Sequence, residues 1–305
     1  MIIESHAHVW SFPVLEQLGD KIQSTEDLVA FRTRYPELYR RTLSEAPIDN
    51  SDALIAQMDR HGIDKAIVQA RPGKITNEQV AQSVRRHPGR LYGLFRLGQD
   101  QTAAFEFAKD PTAVRDAASA QITHCIEHLG MKGMGEIRVR SLTRQLDPEL
   151  IAEDLKPVMD ALERFGVPIQ IPTAWSQFPG GLIYGNPIWV DEVACRHPGV
   201  PVILTKMGRG IQYYFDTSMA VAMRNTNVYF DIVGTTSEHL RKALDSLGSK
   251  RILFGTDWSA TKQWITKPAD VYTSRFRVLD AARLSLEERE DVLWRNAARI
   301  FRLGI

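Results

Sequence analysis

Residues 1–10, MIIESHAHVW, open with a short apolar run that ends in two histidines spaced two apart. In an extended strand, residues i and i+2 project from the same face. His6 and His8 therefore share a face at the end of a first strand, Ile2–His6. Residues 251–258, RILFGTDW, repeat the arrangement near the other terminus: a strand, Ile252–Gly255, with Asp257 just past it. Whether the two ends meet depends on what lies between them.

Between them, apolar runs alternate with helical periodicity. Strand candidates are Lys65–Ala70, Leu91–Leu97, Gly133–Val139, Val167–Ile171, Val202–Thr205 and Val228–Ile232, which with the two ends makes eight. The helices have readable limits. Ser51 is the expected N-cap of a helix that Gly62 stops. Pro148–Phe165 reads as helix up to Gly166, and Thr236–Leu247 up to Gly248. Ser285 and Glu288 have the spacing of a capping box. RHPGRLYGLF at Arg86–Phe95 and RHPGVPVIL at Arg196–Leu204 are equivalent joins, in which Pro and Gly end a helix before an apolar strand. Strands alternating with helices imply a parallel sheet. Eight of them predict an α/β protein, a closed (β/α)8 barrel spanning residues 1–305 as one domain. A doubly wound open sheet would place a glycine-rich turn after the first strand, and SHAHVW is not one. First and last strands of a barrel are neighbours, so His6, His8 and Asp257 are expected to converge at the C-terminal rim. Residues 11–50 would be a long first βα connection at that rim, a candidate lid carrying Phe12, Phe31, Arg32, Tyr35 and Tyr39.

The chain has 305 residues, is 44% hydrophobic and carries a formal charge of +1. That balance directs no global field at nucleic acid or an acidic membrane. No run approaches the roughly 20 apolar residues of a membrane span, and a cytoplasmic location is expected. A homo-oligomer is compatible with the sequence but not demanded by it. Cys125 and Cys195 form no CxxC and read as two buried small hydrophobes. There is no P-loop, no dinucleotide fingerprint and no GxSxG elbow.

Basic residues gather at the strand ends: Arg71, Arg96, Arg138, Arg140, Lys206 and Arg209. Guanidinium forks bind carboxylates in a bidentate way, so the partner expected is a small anionic organic substrate with one or two carboxylates. Trp175 and Trp258, with Trp10 and Tyr35, are candidates to line its apolar part. On the fourth strand, Glu136, Arg138 and Arg140 alternate with Ile137 and Val139, and a buried Glu136 would pair with Arg138 or Lys206. Asp231 could orient a histidine or pair with Lys206.

The HxH on strand one with FGTDW on strand eight resembles the amidohydrolase superfamily. Within it, the chain is similar to the amidohydrolase-related group that includes lactonases, hydratases and nonoxidative decarboxylases. GVPIQIPTAW, residues 166–175, falls where that group has its fifth strand, and PVILTKMG, residues 201–208, where it has its sixth. The group commonly places a histidine at the end of each of those strands; here Pro172 and Lys206 stand there. Proline offers no side-chain donor, and an ammonium repels a cation. Three arrangements stay open: no metal, with Lys206 as the fixed positive charge; one divalent ion, zinc or manganese, on His6, His8 and Asp257 with Glu136; or a barrel that only binds. The leading expectation is hydrolysis of a small carboxylated lactone, ester or amide. Asp257 would be the general base, while His6, His8 and Lys206 or a metal would polarise the carbonyl. The alternative is metal-dependent nonoxidative decarboxylation or hydration of an aromatic or unsaturated acid.

Overall fold

The computed structural model describes residues 1–10, 30, 33–37, 40–41, 46–70, 75–97, 118–136, 147–174, 182–183, 185–259 and 270–305. Most of the lid expected over 11–50 lies outside them. Two parallel sheets form the frame. One has the order β1 (Ile3–Val9), β2 (Lys65–Ala70), β3 (Leu91–Leu94). The other runs β4 (Ile169–Pro172), β5 (Val202–Thr205), β6 (Val228–Asp231), β7 (Ile252–Leu253). The expected fourth strand is reduced, among the described residues, to Met134, which bridges Phe95 on one side and Ile169 on the other. At the second seam, Ser5 N–H donates to Phe254 O at 2.8 Å, Asp257 N–H to His6 O at 2.8 Å and His8 N–H to Trp258 O at 2.7 Å. The ring is therefore closed as a (β/α)8 barrel.

The helices that wrap it begin and end on local chemistry. The first, α1 (Ser51–His61), stops at Gly62, whose φ of 66° is costly for any other residue type. Its N-cap is Asn50 rather than Ser51; Asp49 Oδ1 accepts the Ser51 amide at 2.9 Å instead. A Thr76–Gln79 capping box starts α2 (Asn77–Arg86). Asp147 caps α3 (Pro148–Phe165), which ends at left-handed Gly166. Then follow α4 (Val190–Arg196), α5 (Gln212–Arg224), α6 (Ser237–Leu247) capped by Thr236, and α7 (Val271–Ala281). The Ser285–Glu288 capping box opens α8 (Leu286–Glu290), and α9 (Asn296–Ile300) closes the chain. Cys125 is buried and Cys195 is exposed, so only the first is a buried small hydrophobe; both are free thiols.

Two apolar clusters result. The larger lies between strands and helices. The smaller joins Ile3, Ile67, Leu94, Ile203 and Leu253 to Ile300, Phe301 and Leu303 of the C-terminal segment, which plugs one end of the barrel. Each such fully buried aliphatic contributes roughly 1.5–3 kcal/mol. The plug leaves the opposite end, where the strands finish, as the place for chemistry. Among the described residues, no helix is long and apolar enough to cross a membrane.

Candidate active site

The first strand does not alternate strictly. Ile3 packs in the plug, whereas Ala7 and Val9 pack in the outer cluster. Strict alternation would therefore turn His6 and His8 away from the interior. A register shift between Glu4 and Ala7 exchanges the faces. Glu4 secures the irregular segment: its Oε1 accepts the amide of His6 at 2.8 Å and that of Thr256 at 3.0 Å, joining the first and last strands. Burial pushes the Glu4 carboxyl up to about 8, with hydrogen bonds from Thr256 and His6 acting in the other direction.

Beyond the irregularity, five of the expected residues meet. His8 Nε2 lies 3.1 Å from Asp257 Oδ1. His6 Nε2 lies 3.7 Å from the same oxygen and 3.5 Å from Glu136 Oε1. Lys206 Nζ donates to Glu136 Oε1 and stands 3.5 Å from Asp257 Oδ2. Thr205 Oγ1 donates to Glu136 Oε1 at 2.8 Å. Behind the group, Asp231 Oδ2 meets His6 Nδ1 at 2.7 Å and its Oδ1 accepts the Lys206 amide at 2.6 Å. Of the two roles open to Asp231, the geometry matches the one toward a histidine; toward Lys206 it meets the backbone amide and not the ammonium.

The rim is also where the backbone is strained. Trp10, Ala174, Lys206 and Asp257, all at or just past strand ends, have φ of 68°, 72°, 77° and 58°. A left-handed conformation costs a non-glycine residue roughly 1–2 kcal/mol, and such residues cluster at functional sites. Gly208 (φ 73°) belongs to the same turn; a Cβ there would lie 2.7 Å from the Phe215 Cα.

Electrostatics couple the group. Burial alone would raise Glu136, but Lys206, with His6 and His8, holds its carboxyl well below the usual carboxylate range. Burial and Lys206 disfavour protonation of His6, yet Glu136 and Asp231 outweigh them and raise its proton affinity. Two carboxylates, Glu136 and Asp257, flank the one ammonium, and a third, Asp231, lies behind it on His6 and the Lys206 amide. Of the arginines behind the cationic pocket expected, Arg71, Arg138 and Arg140 lie outside the described residues, as does Trp175.

Do these residues suit a divalent ion? Ligand atoms of His6, His8 and Glu136 lie within 4.8 Å of one another. His6 Nε2 is buried and has no hydrogen-bond partner. With Nδ1–H directed to Asp231, the Nε2 lone pair faces the cluster, the usual orientation of a metal-bound histidine. Two imidazoles and one or two carboxylates suit zinc or manganese. The donor set fits. One group opposes it: at an effective dielectric of about 20, an ammonium about 4 Å from a divalent ion repels it by roughly 8 kcal/mol.

The remaining expected residues are placed less centrally. Arg96 is half-buried past β3, its backbone clasped by Asn77 through N–H to Oδ1 and Nδ2–H to O, both at 2.8 Å. Arg209 is half-buried at the rim past β5, with φ 54°. Trp258, expected against the substrate, is packed in the outer core with 1% exposure. Trp10 turns onto α2, its Nε1 donating to Gln79 O at 3.0 Å and Ser83 Oγ at 2.9 Å. Sequence reasoning passed over Glu4, Thr205, Gln69 and Gln170. For Gln69 and Gln170 the signal was there: each is a polar residue inside an otherwise apolar run, where burial demands a partner.

A parallel barrel whose first and last strands bring an HxH pair and an aspartate to one rim defines the class, and the comparisons agree. An amidohydrolase family model matches residues 3–303, and the chain belongs to that family. A gamma-resorcylate decarboxylase of Rhodococcus jostii (strain RHA1) is 25% identical, covering 88% of this chain and 92% of that protein. An uncharacterized TIM-barrel protein of Bordetella bronchiseptica, Bb4693, superimposes with a TM-score of 0.66 at 20% identity over 99% of both chains. A dihydroxybenzoic acid decarboxylase of Polaromonas sp. JS666, solved with manganese and the inhibitor 2-nitroresorcinol, gives a TM-score of 0.63 at 17% identity, covering 100% of this chain and 97% of that one.

Proposed function

We propose that this chain removes the carboxyl group of a small hydroxylated aromatic acid as carbon dioxide, without oxidation. The observation that carries the reading is Asp257, held 3.1 Å from His8 and 3.5 Å from the Lys206 ammonium at the closed seam. The decarboxylase from Rhodococcus jostii supports the choice of this branch over the hydrolysis expected first from sequence.

Asp257 carries a proton to the ring carbon that bears the carboxylate. The carbon–carbon bond then breaks, its electron pair returns to the ring, and carbon dioxide leaves. Asp257 regains a proton from water. His6, fixed by Asp231, and His8 orient Asp257. Lys206 and the rim arginines Arg96 and Arg209, with Arg71, Arg138 and Arg140, hold the anion. A divalent ion bound by His6, His8, Glu136 and Asp257 would supply an electrophile for the substrate oxygens. Trp175 remains a candidate for shaping the aromatic end.

Hydrolysis of a carboxylated lactone, ester or amide is the second reading. It is favoured by one observation: the Lys206 ammonium beside Asp257 is a cation that needs no bound ion. Product analysis separates the two. Purified protein incubated with a panel of hydroxybenzoates should release carbon dioxide and the decarboxylated phenol. Ring-opening of carboxylated lactones without carbon dioxide would favour hydrolysis. Inertness toward both panels, with binding retained, would leave a binding barrel.

A further inference from the structure

The cluster contains a conflict that the proposed reaction does not explain. Glu136 Oε1 is the carboxylate oxygen nearest His6 Nε2, at 3.5 Å. The same atom accepts Thr205 Oγ1–H and Lys206 Nζ–H. A carboxylate oxygen has two lone pairs, and both are engaged. Any cation that takes this oxygen together with the imidazoles must first displace a donor. Lys206 is not free to swing away. Its backbone N–H donates to Asp231 Oδ1, its backbone is left-handed, and its side chain is almost fully buried.

We propose that Lys206 is a built-in competitor for the divalent-metal position. Its ammonium and a metal ion are alternative occupants of Glu136 Oε1, and the lysine keeps metal affinity low. The carboxylates that would attract a metal are answered by a charge belonging to the chain itself. The inference rests on reading the His6–Asp257 cluster as the active site, but not on which bond is broken.

The test is manganese binding to chelator-treated, substrate-free protein, followed by electron paramagnetic resonance and by elemental analysis after dialysis. Wild type should bind at least tenfold more weakly than Lys206→Met, which should take up about one ion per chain. Lys206→Arg keeps the charge and should stay within a few fold of wild type. Adding Glu136→Ala to Lys206→Met should abolish the gain. If Lys206→Met does not fold, Lys206→Gln, which keeps a hydrogen-bond donor without the charge, should bind more tightly in its place. Wild type carrying one chelator-resistant zinc or manganese would overturn the proposal. So would affinities of wild type and the neutral variants within threefold of each other, or a gain that survives Glu136→Ala. This binding test contains no substrate and is read independently of the hydroxybenzoate incubation: tightened metal binding in the neutral variants together with no carbon dioxide from that separate incubation would sink the reaction and keep the competitor, and the reverse pair of results would do the opposite.

Discussion

Asp231 Oδ2 lies 2.7 Å from His6 Nδ1, with both side chains fully buried. The other oxygen of Asp231 accepts the Lys206 amide at 2.6 Å, so one carboxylate sets both the imidazole and the backbone that presents the ammonium. Asparagine has only one acceptor oxygen, and its amide nitrogen would face either the His6 N–H or the amides of Lys206 and Val233, which share Asp231 Oδ1. Asp231→Asn should therefore lower turnover by about 10- to 100-fold, the usual effect of removing a group that orients a histidine, with little change in the far-ultraviolet circular dichroism. Steady-state kinetics would show it, and a loss below about threefold would remove the orienting role.

Asp257→Asn tests the proton carrier directly. The amide preserves size and the backbone turn but cannot give up a proton to carbon. Turnover should fall by about 10²- to 10⁴-fold, while affinity for a hydroxybenzoate, measured by calorimetry, stays within a few fold. Retained turnover would assign the proton to another group.

Glu4 links pH to stability. Its carboxyl ordinarily titrates near 4.5 and is pushed up to about 8 by burial. Below the lower value, folded and unfolded chains both hold the proton. Between the two values only the folded chain holds it, so stability falls as pH rises through this window, by about 1.4 kcal/mol per unit. Above the folded value, no further change comes from this group. Glu4→Gln keeps an acceptor for the His6 and Thr256 amides and cannot ionise. Its urea midpoint should decline less than that of wild type between about pH 5 and 8. Parallel declines would show that Glu4 does not titrate in this range.

The barrel was legible because its strands are apolar runs punctuated by Pro and Gly, and because a closed ring makes the two ends of the chain neighbours. His6, His8 and Asp257 follow from that topology alone. Their alternation did not: Ile3 and His6 have opposite parity, and only a register shift places both inside the barrel. Nothing in IESHAH marks that shift except Glu4, a charge too early in the strand to reach the rim. Met134 is a different case. Gly133 and Gly135 flank it, and a Cβ at Gly133 would meet the Pro168 ring at 3.0 Å. Among the described residues Met134 makes one bridge to each neighbouring strand, and residues 137–139 of the expected strand lie outside them. The arginine clamp was inferred by counting cations at strand ends, which says where each residue starts and not where its long side chain goes.

Beneath the site, Gln69 and Gln170 form a belt across the barrel. Gln69 Nε2 donates to Gln170 Oε1 at 2.9 Å, Gln170 Nε2 donates to Ser5 O at 2.9 Å, and Gln69 Oε1 accepts the Glu136 amide at 2.7 Å. Both glutamines are fully buried. Leucine in place of Gln69 preserves approximate volume but strands the Glu136 N–H and the Gln170 carbonyl oxygen. Each unsatisfied group costs roughly 1–3 kcal/mol, so Gln69→Leu should destabilise the fold by about 2–5 kcal/mol in urea unfolding. Removing both ends of a hydrogen bond is cheaper than removing one. In the Gln69→Leu, Gln170→Leu double variant the glutamine-to-glutamine bond has no orphaned end. The combined loss should thus be smaller than the sum of the two single losses by 1 kcal/mol or so. Simple additivity would mean that the two amides act independently and that no belt supports Glu136.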